Sequence, residues 1–169
     1  TTAKIVVNKA GTIISAPDVS LAYKDPNGEL VATIINEHGK PLVVNLNIKF
    51  NGKDYTVKTD SSGQASIPIG TLSPGTYNAT ITYKGSSNYK ASTATAKVKV
   101  TKATTIITAP DVTVAYKDPN GELVATITNE HGKPLIVNMN VDFNGKEYTV
   151  KTDSNGQASI PIGTLSPGT

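Results

Sequence analysis

Polarity alternates residue by residue through much of the chain. Val44, Leu46, Ile48 and Phe50 stand against Val43, Asn45, Asn47 and Lys49; Tyr77, Ala79, Ile81 and Tyr83 against Asn78, Thr80, Thr82 and Lys84; Ala96, Val98 and Val100 against Lys97 and Lys99. A period of two places each apolar set on one face of a β-strand. One apolar face per strand needs a second sheet to cover it, which predicts a two-layer β-sandwich. Such runs fall near residues 12–15, 18–24, 29–36, 43–50, 53–59, 64–69, 76–84 and 93–100, seven or eight strands in all. Turn residues separate them: Asp25-Pro26-Asn27-Gly28, Glu37-His38-Gly39-Lys40-Pro41, Asn51-Gly52, Asp60-Ser61-Ser62-Gly63, Ser73-Pro74-Gly75 and Gly85-Ser86-Ser87-Asn88. Proline fixes φ in such turns, and Gly or Asn accepts φ > 0. Asn51-Gly52, set between alternating runs, is the strongest hairpin signal.

The pattern then repeats. Pro17 returns as Pro110, Gly63 as Gly156 and Pro74 as Pro167, each 93 residues on. Of the 65 positions that can be compared, 55 are identical. Most of the exchanges keep size or polarity, as in Leu21/Val114, Leu46/Met139 and Ile48/Val141. The same offset lays Ala3 to Ala10 on Ala96 to Ala103, so the chain opens on what reads as the last strand of a preceding repeat. The expected organisation is a lead-in strand and linker over 1–11, a complete repeat over 12–104 and a second repeat over 105–169 that lacks its last two strands. Only Thr101 to Thr104 join one repeat to the next, which argues for a fairly stiff rod.

Composition narrows the function classes. No apolar run is long enough to form a membrane-spanning helix, so membrane insertion of this segment is not expected. With no cysteine, disulfides and thiolate metal sites are excluded. All 16 basic residues are lysine and the net charge of +3 is spread along the chain, without the basic cluster or arginine fork that nucleic acid calls for.

One stretch is more specific than the rest. Leu72, Pro74, Gly75 and Tyr77, within Leu-Ser-Pro-Gly-Thr-Tyr, lead into an alternating strand, and Leu165 to Thr169 repeat the motif up to the tyrosine. A tyrosine at that place can bury its ring and donate its hydroxyl back to the turn, locking a crossover between sheets. Together with Ala109-Pro110-Asp111-Val112, Asp153-Ser154-Asn155-Gly156-Gln157-Ala158 and Tyr83-Lys84-Gly85-Ser86-Ser87-Asn88-Tyr89, closing on Ala94 to Val100, the motif resembles the prokaryotic immunoglobulin-like repeats of large surface proteins. Those of methanogen, hence archaeal, adhesin-like proteins are the nearest in kind. The resemblance implies an all-β fold of tandem immunoglobulin-like Greek-key sandwiches in an extracellular, cell-surface stalk, adhesin or filament. It brings no catalytic residue and no cofactor.

Other candidates have plainer explanations. Asp25, Asn27 and Glu29, with Asp118, Asn120 and Glu122 in the second copy, alternate oxygens around a glycine as a calcium loop does. The acidic continuation that would complete six to eight ligands is missing, and an Asp-Pro-Asn-Gly turn accounts for the same residues. His38 and His131 sit in turns without convergent partners, so no metal or base role is expected. Lys58, Lys84, Lys97 and Lys99 point outward, and Lys49 is Asp142 in the second copy, which does not suit an isopeptide cross-link. Asn78-Ala79-Thr80 is the one glycosylation sequon. Tyr89, outside the core pattern, is the one candidate for a glycan-stacking platform. No arrangement suited to an enzyme remains.

Two partner classes follow from the open second repeat. Neighbouring repeats of the same chain are the first, with host or cell-surface glycans and proteins as candidate adhesive ligands. The second is another copy: Ala3, Ile5 and Val7 would be donated as a strand to complete the second repeat and build a head-to-tail filament.

Overall fold

The computed structural model describes residues 2–168. The chain divides into two compact units, Thr1–Lys102 and Ala103–Thr169.

The first unit has eight strands: β1 (Thr12–Ser15), β2 (Val19–Ala22), β3 (Glu29–Asn36), β4 (Asn45–Phe50), β5 (Lys53–Lys58), β6 (Gln64–Pro68), β7 (Gly75–Tyr83) and β8 (Ser92–Thr101). They form one sheet in the order β1-β3-β6 and a second in the order β2-β8-β7-β4-β5. The chain crosses between sheets after β1, β2, β3, β5 and β6, which makes an immunoglobulin-like Greek-key sandwich. All pairings are antiparallel except one: β2 runs parallel to β8, with Val19 opposite Val98 and Leu21 opposite Val100.

The alternating positions do what their polarity dictates. Leu46, Ile48 and Phe50 of β4, Ala79, Ile81 and Tyr83 of β7, and Ala96, Val98 and Val100 of β8 are buried, and they meet Leu30, Ala32 and Ile34 of β3 in one core. Burial of each large aliphatic side chain contributes about 1.5–3 kcal/mol. Strand ends are trimmed where turns demand it. β2 stops at Ala22, short of 24, because Lys24 takes φ 62° and the Asp25 amide donates to the Ala22 carbonyl. β4 starts at Asn45, later than 43: Val43 faces solvent, and the Val44 amide turns to the Thr59 hydroxyl.

The second unit repeats five of these strands: β9 (Thr105–Thr108), β10 (Glu122–Asn129), β11 (Asn138–Phe143), β12 (Lys146–Lys151) and β13 (Gln157–Pro161). They pair as β13-β10-β9 and β11-β12. Three of the eight strands therefore have no counterpart, against the two that the repeat length suggests. The additional loss is residues 112–115, which keep the Val and Ala of β2 and exchange Ser20 for Thr113 and Leu21 for Val114, yet form no strand. In the first unit β2 lies at a sheet edge with β8 as its single strand partner; among the described residues of the second unit no strand corresponds to β8, and the similar segment 112–115 is unpaired.

The lead-in differs from expectation for the same reason. Residues 2–9 form no strand. Ile5 is 87% and Val7 89% exposed. Regular pairing begins at Ala10, whose amide donates to Asn88 and whose carbonyl accepts from Lys90.

Each unit also holds a buried threonine across its sheet-to-sheet crossing. The Thr59 hydroxyl donates to the Leu42 carbonyl at 2.6 Å and accepts the Val44 amide at 2.8 Å; Thr152 does the same with Leu135 and Val137. Replacing Thr59 by Val leaves two buried backbone groups without partners, at a cost of about 1–3 kcal/mol. In urea we expect two transitions, with the thinner second unit unfolding first. Thr59→Val should shift only the later transition and Thr152→Val only the earlier one.

Candidate functional site: the tyrosine turn and the open face of the second unit

Pro74 and Gly75 bring the chain out of the β6 to β7 crossing and set Tyr77 near the start of β7. Its hydroxyl donates to the Ser73 carbonyl at 2.9 Å, and its ring lies 6.1 Å from that of Phe50, tilted by 58°. Leu72, half-buried, packs on the same core. The ring covers the sandwich edge while the hydroxyl ties the strand to its own turn. Leu165 to Gly168 present the same turn in the second unit, with Leu165 half-buried.

The acidic turns are closed on themselves. Asp25 Oδ1 accepts the Asn27 amide at 2.9 Å, and Asp118 accepts that of Asn120 at 2.9 Å. Glu29 and Glu122 are exposed at the first positions of β3 and β10. A side chain at Gly70 would collide with the Asp25 carbonyl, so the turn packs backbone to backbone. Among the described residues, no three His, Asp or Glu side chains converge.

His38 is exposed, with Nε2 3.7 Å from Glu37; His131 lies 4.0 Å from Glu130. The turn around each is shaped by a residue that the polarity pattern hides. Asn36, at a core position of β3, is buried, and its Oδ1 accepts the amides of both His38 and Lys40. Asn129 repeats the arrangement. An asparagine closing an apolar alternation just before Glu-His-Gly is the signal that would have disclosed it.

Lys58, Lys84, Lys97 and Lys99 are exposed, as is Asn78, which pairs across the ladder with Lys97. Tyr89 is not a free aromatic platform: it packs, half-buried, against the core of the first unit. Its loop instead receives the incoming chain at Ala10. The exposed aromatic is Tyr116, 57% accessible, with the Lys117 ammonium 5.2 Å from the ring centre.

Tyr116 also lines a groove of the second unit. The groove, about 640 Å³ in volume, runs along residues 109–116 and is floored by Leu123, Phe143, Ile162 and Leu165. Val112 and Val114 line it, in the positions that Val19 and Leu21 occupy against β8 in the first unit. Leu30 and Phe50 are buried there, whereas their counterparts Leu123 and Phe143 are half-exposed. The groove is the space that β7 and β8 fill in the complete sandwich. Among the described residues β11 pairs with β12 alone, whereas its counterpart β4 also pairs with β7.

The sequence matches no protein-family model and no curated protein. Among solved structures, it is similar to one concerned with host cell surface retention of a 1.5-MDa bacterial ice-binding adhesin, at 14% identity over 93% of this chain and 56% of that one, TM-score 0.37. Domains 4–9 of a surface-layer protein give 14% identity over 85% of this chain and 27% of that one, TM-score 0.38. The fibronectin(III)-like modules of a Clostridium thermocellum protein give 13% over 89% and 79%, TM-score 0.35. The chain thus spans about half and a quarter of the first two. At these scores the likeness adds nothing to the fold, which rests on the strand order of the first unit.

Tyr77→Phe removes one hydrogen bond and leaves the ring in place, so it should cost about 0.5–1.5 kcal/mol in the unfolding of the first unit, read from urea melts. Tyr77→Ala also removes ring packing and should cost about 3–5 kcal/mol. If the acidic turns are plain turns, excess EDTA leaves the thermal midpoint unchanged; a fall that added calcium restores would assign them an ion.

Proposed function

We propose that this chain is a tension-bearing segment of a cell-surface stalk or adhesin, in which repeated sandwiches supply length and mechanical strength. The observation that carries the reading is the parallel pairing of β2 with β8. β2 lies near the start of the complete unit and β8 ends it, so a pull on the two chain ends drives the strands past each other lengthwise. All bonds of the ladder then load together, whereas an antiparallel pair pulled at one end opens one bond at a time.

The shear zone extends beyond the ladder. The Lys97 amide donates to Asp18 at 2.7 Å, the Tyr23 amide to the Thr101 carbonyl at 2.9 Å, and the Thr101 hydroxyl to Leu21. Leu21, Val98 and Val100 shield it from water on the core side. Tandem repetition and the three-residue connection from Thr101 to Thr105 support the same reading, since strands on either side follow with almost no slack. An extracellular location, an adhesive end and kinship with archaeal adhesin-like repeats belong to this proposal, on the strength of the motif resemblance.

The test is single-molecule stretching between the chain ends. The first unit should yield in one high-force event that releases about 80 residues, a contour gain of roughly 270 Å at ~3.4 Å per residue. The second unit, whose 112–115 segment has no strand partner, should extend at low force. Asp18→Ala combined with Thr101→Ala should lower the peak force and leave the contour gain unchanged. A first unit that opens at the same low force as the second would overturn the proposal.

A further inference from the structure

Five Asn-Gly pairs lie in turns: Asn27-Gly28, Asn51-Gly52, Asn120-Gly121, Asn144-Gly145 and Asn155-Gly156. In sequence they are alike; in structure they fall into two classes. We propose that Asn51-Gly52 and Asn144-Gly145, at the tips of the β4–β5 and β11–β12 hairpins, are sites of spontaneous deamidation, and that the fold protects the other three.

The chemistry is intramolecular. The Gly52 backbone nitrogen attacks the side-chain carbonyl carbon of Asn51 and closes a five-membered succinimide. The bond from that carbon to Nδ2 breaks, and the side-chain nitrogen leaves as ammonia with the proton given up by the Gly52 amide. Water then opens the ring at either carbonyl. Opening at the side-chain carbonyl gives aspartate; opening at the main-chain carbonyl gives isoaspartate, in which the backbone runs through the former side chain and gains one carbon. A following glycine hinders the attack least, since it has no side chain. Two conditions remain: the peptide between the two residues must turn its nitrogen toward the asparagine side chain, and water must reach the ring.

The hairpin tips meet both. Asn51 and Gly52 take φ 48° and 72°, and Asn144 and Gly145 take 52° and 70°, the paired positive values of a type I′ turn. A type II′ turn keeps the first positive φ and reverses the second, and glycine accepts either sign, so flipping that one peptide interconverts the two turns. Little resists the flip. Among the described residues neither the Gly52 nor the Gly145 amide has a backbone acceptor. Apart from the chain neighbours, no heavy atom lies within 4 Å of where a Cβ on either glycine would stand. All four residues are exposed.

The other three pairs are held. The amides of Gly28, Gly121 and Gly156 donate to the carbonyls of Asp25, Asp118 and Asp153 at 3.3, 3.2 and 3.1 Å, and the three glycines are buried. A Cβ on Gly156 would collide with the Ile127 carbonyl, and one on Gly28 with the Leu21 side chain. Turning these peptides breaks a buried hydrogen bond in a packed site.

Each event replaces a neutral amide by a carboxylate, so conversion at both tips lowers the net charge of +3 by two. β5 lies at the sheet edge opposite β2, with β4 as its only strand partner. The extra carbon therefore leaves the β2–β8 ladder intact, and the inference is independent of the tension proposal.

The test ages the whole chain in mildly alkaline buffer at physiological temperature, with and without urea. Peptide mapping by mass locates the conversions, and labelling by an isoaspartyl methyltransferase counts isoaspartate. In the folded chain residues 51 and 144 should convert, with 27, 120 and 155 at least about tenfold slower because of the hydrogen bond each must break. In urea all five should react at similar rates. Asn51→Gln, where closure needs a six-membered ring, should silence the first hairpin and leave Asn144 as reactive as before. Equal conversion of Asn27 and Asn51 in the folded chain, tips that stay intact while the urea-treated chain reacts, or undiminished labelling of the first hairpin in Asn51→Gln would each overturn the proposal.

Discussion

β2 has β8 as its only strand partner in the sheet, and much of the molecule follows from that pairing. A strand at a sheet edge with a single neighbour exists only as long as the neighbour does. In the first unit the neighbour is present, and Leu21 is buried beside Val98 and Val100. In the second it is absent; nearly the same residues form no strand, and Val112 and Tyr116 face solvent. The two units thus compare two similar segments, one with and one without a strand partner among the described residues. Local β-propensity, high in both copies, does not decide the outcome; pairing does.

The remaining stability is distributed between an apolar core and a small set of polar fastenings. The core lies where the alternation of β3, β4, β7 and β8 puts it. The fastenings are Thr59, Asn36, Asp60 and Tyr77, each bonded to the backbone of its own or an adjacent turn. A sandwich without disulfides has to hold its crossovers in this way, because the unfolded chain is not shortened by covalent links. The bonds are short-range, while the sheets they join are long-range in sequence. Turn chemistry therefore sets the direction in which each strand departs, and hydrophobic burial decides which strands meet.

The first unit was largely legible in the sequence because its evidence was local. Alternation at Val44 to Phe50 and Tyr77 to Tyr83 located strands and their inner faces, and Asn51-Gly52 located a hairpin whose Asn and Gly both take positive φ. The two-layer arrangement followed from one-sided polarity. Three features were not legible. Lys24 ends β2 through a left-handed conformation that lysine gives no sign of adopting. Asn36 stands at an inward position of β3 and looked like a polar interruption, although its side chain builds the following turn. Residues 112–115 read as a strand because a sequence pattern does not record whether the partner strand is present. Tyr89 was misjudged on the same ground, since its burial depends on loop packing rather than on alternation.

Copying by a fixed offset has no preferred starting point: a 93-residue period can be cut anywhere and still repeat. Closure of a sandwich does have one. Ala10, ahead of β1, is bonded to the loop before β8, and Gly11 exchanges backbone and carboxylate bonds with Glu37. The physical unit consequently begins two residues before its first strand and ends with Thr101 beside Tyr23. Of all phases in which the period can be divided, only cuts between Thr101 and Ala103 give each piece both its lead-in clamp and its closing strand. The gene-level repeat and the folding unit share a length but are bound to a common frame only at that joint.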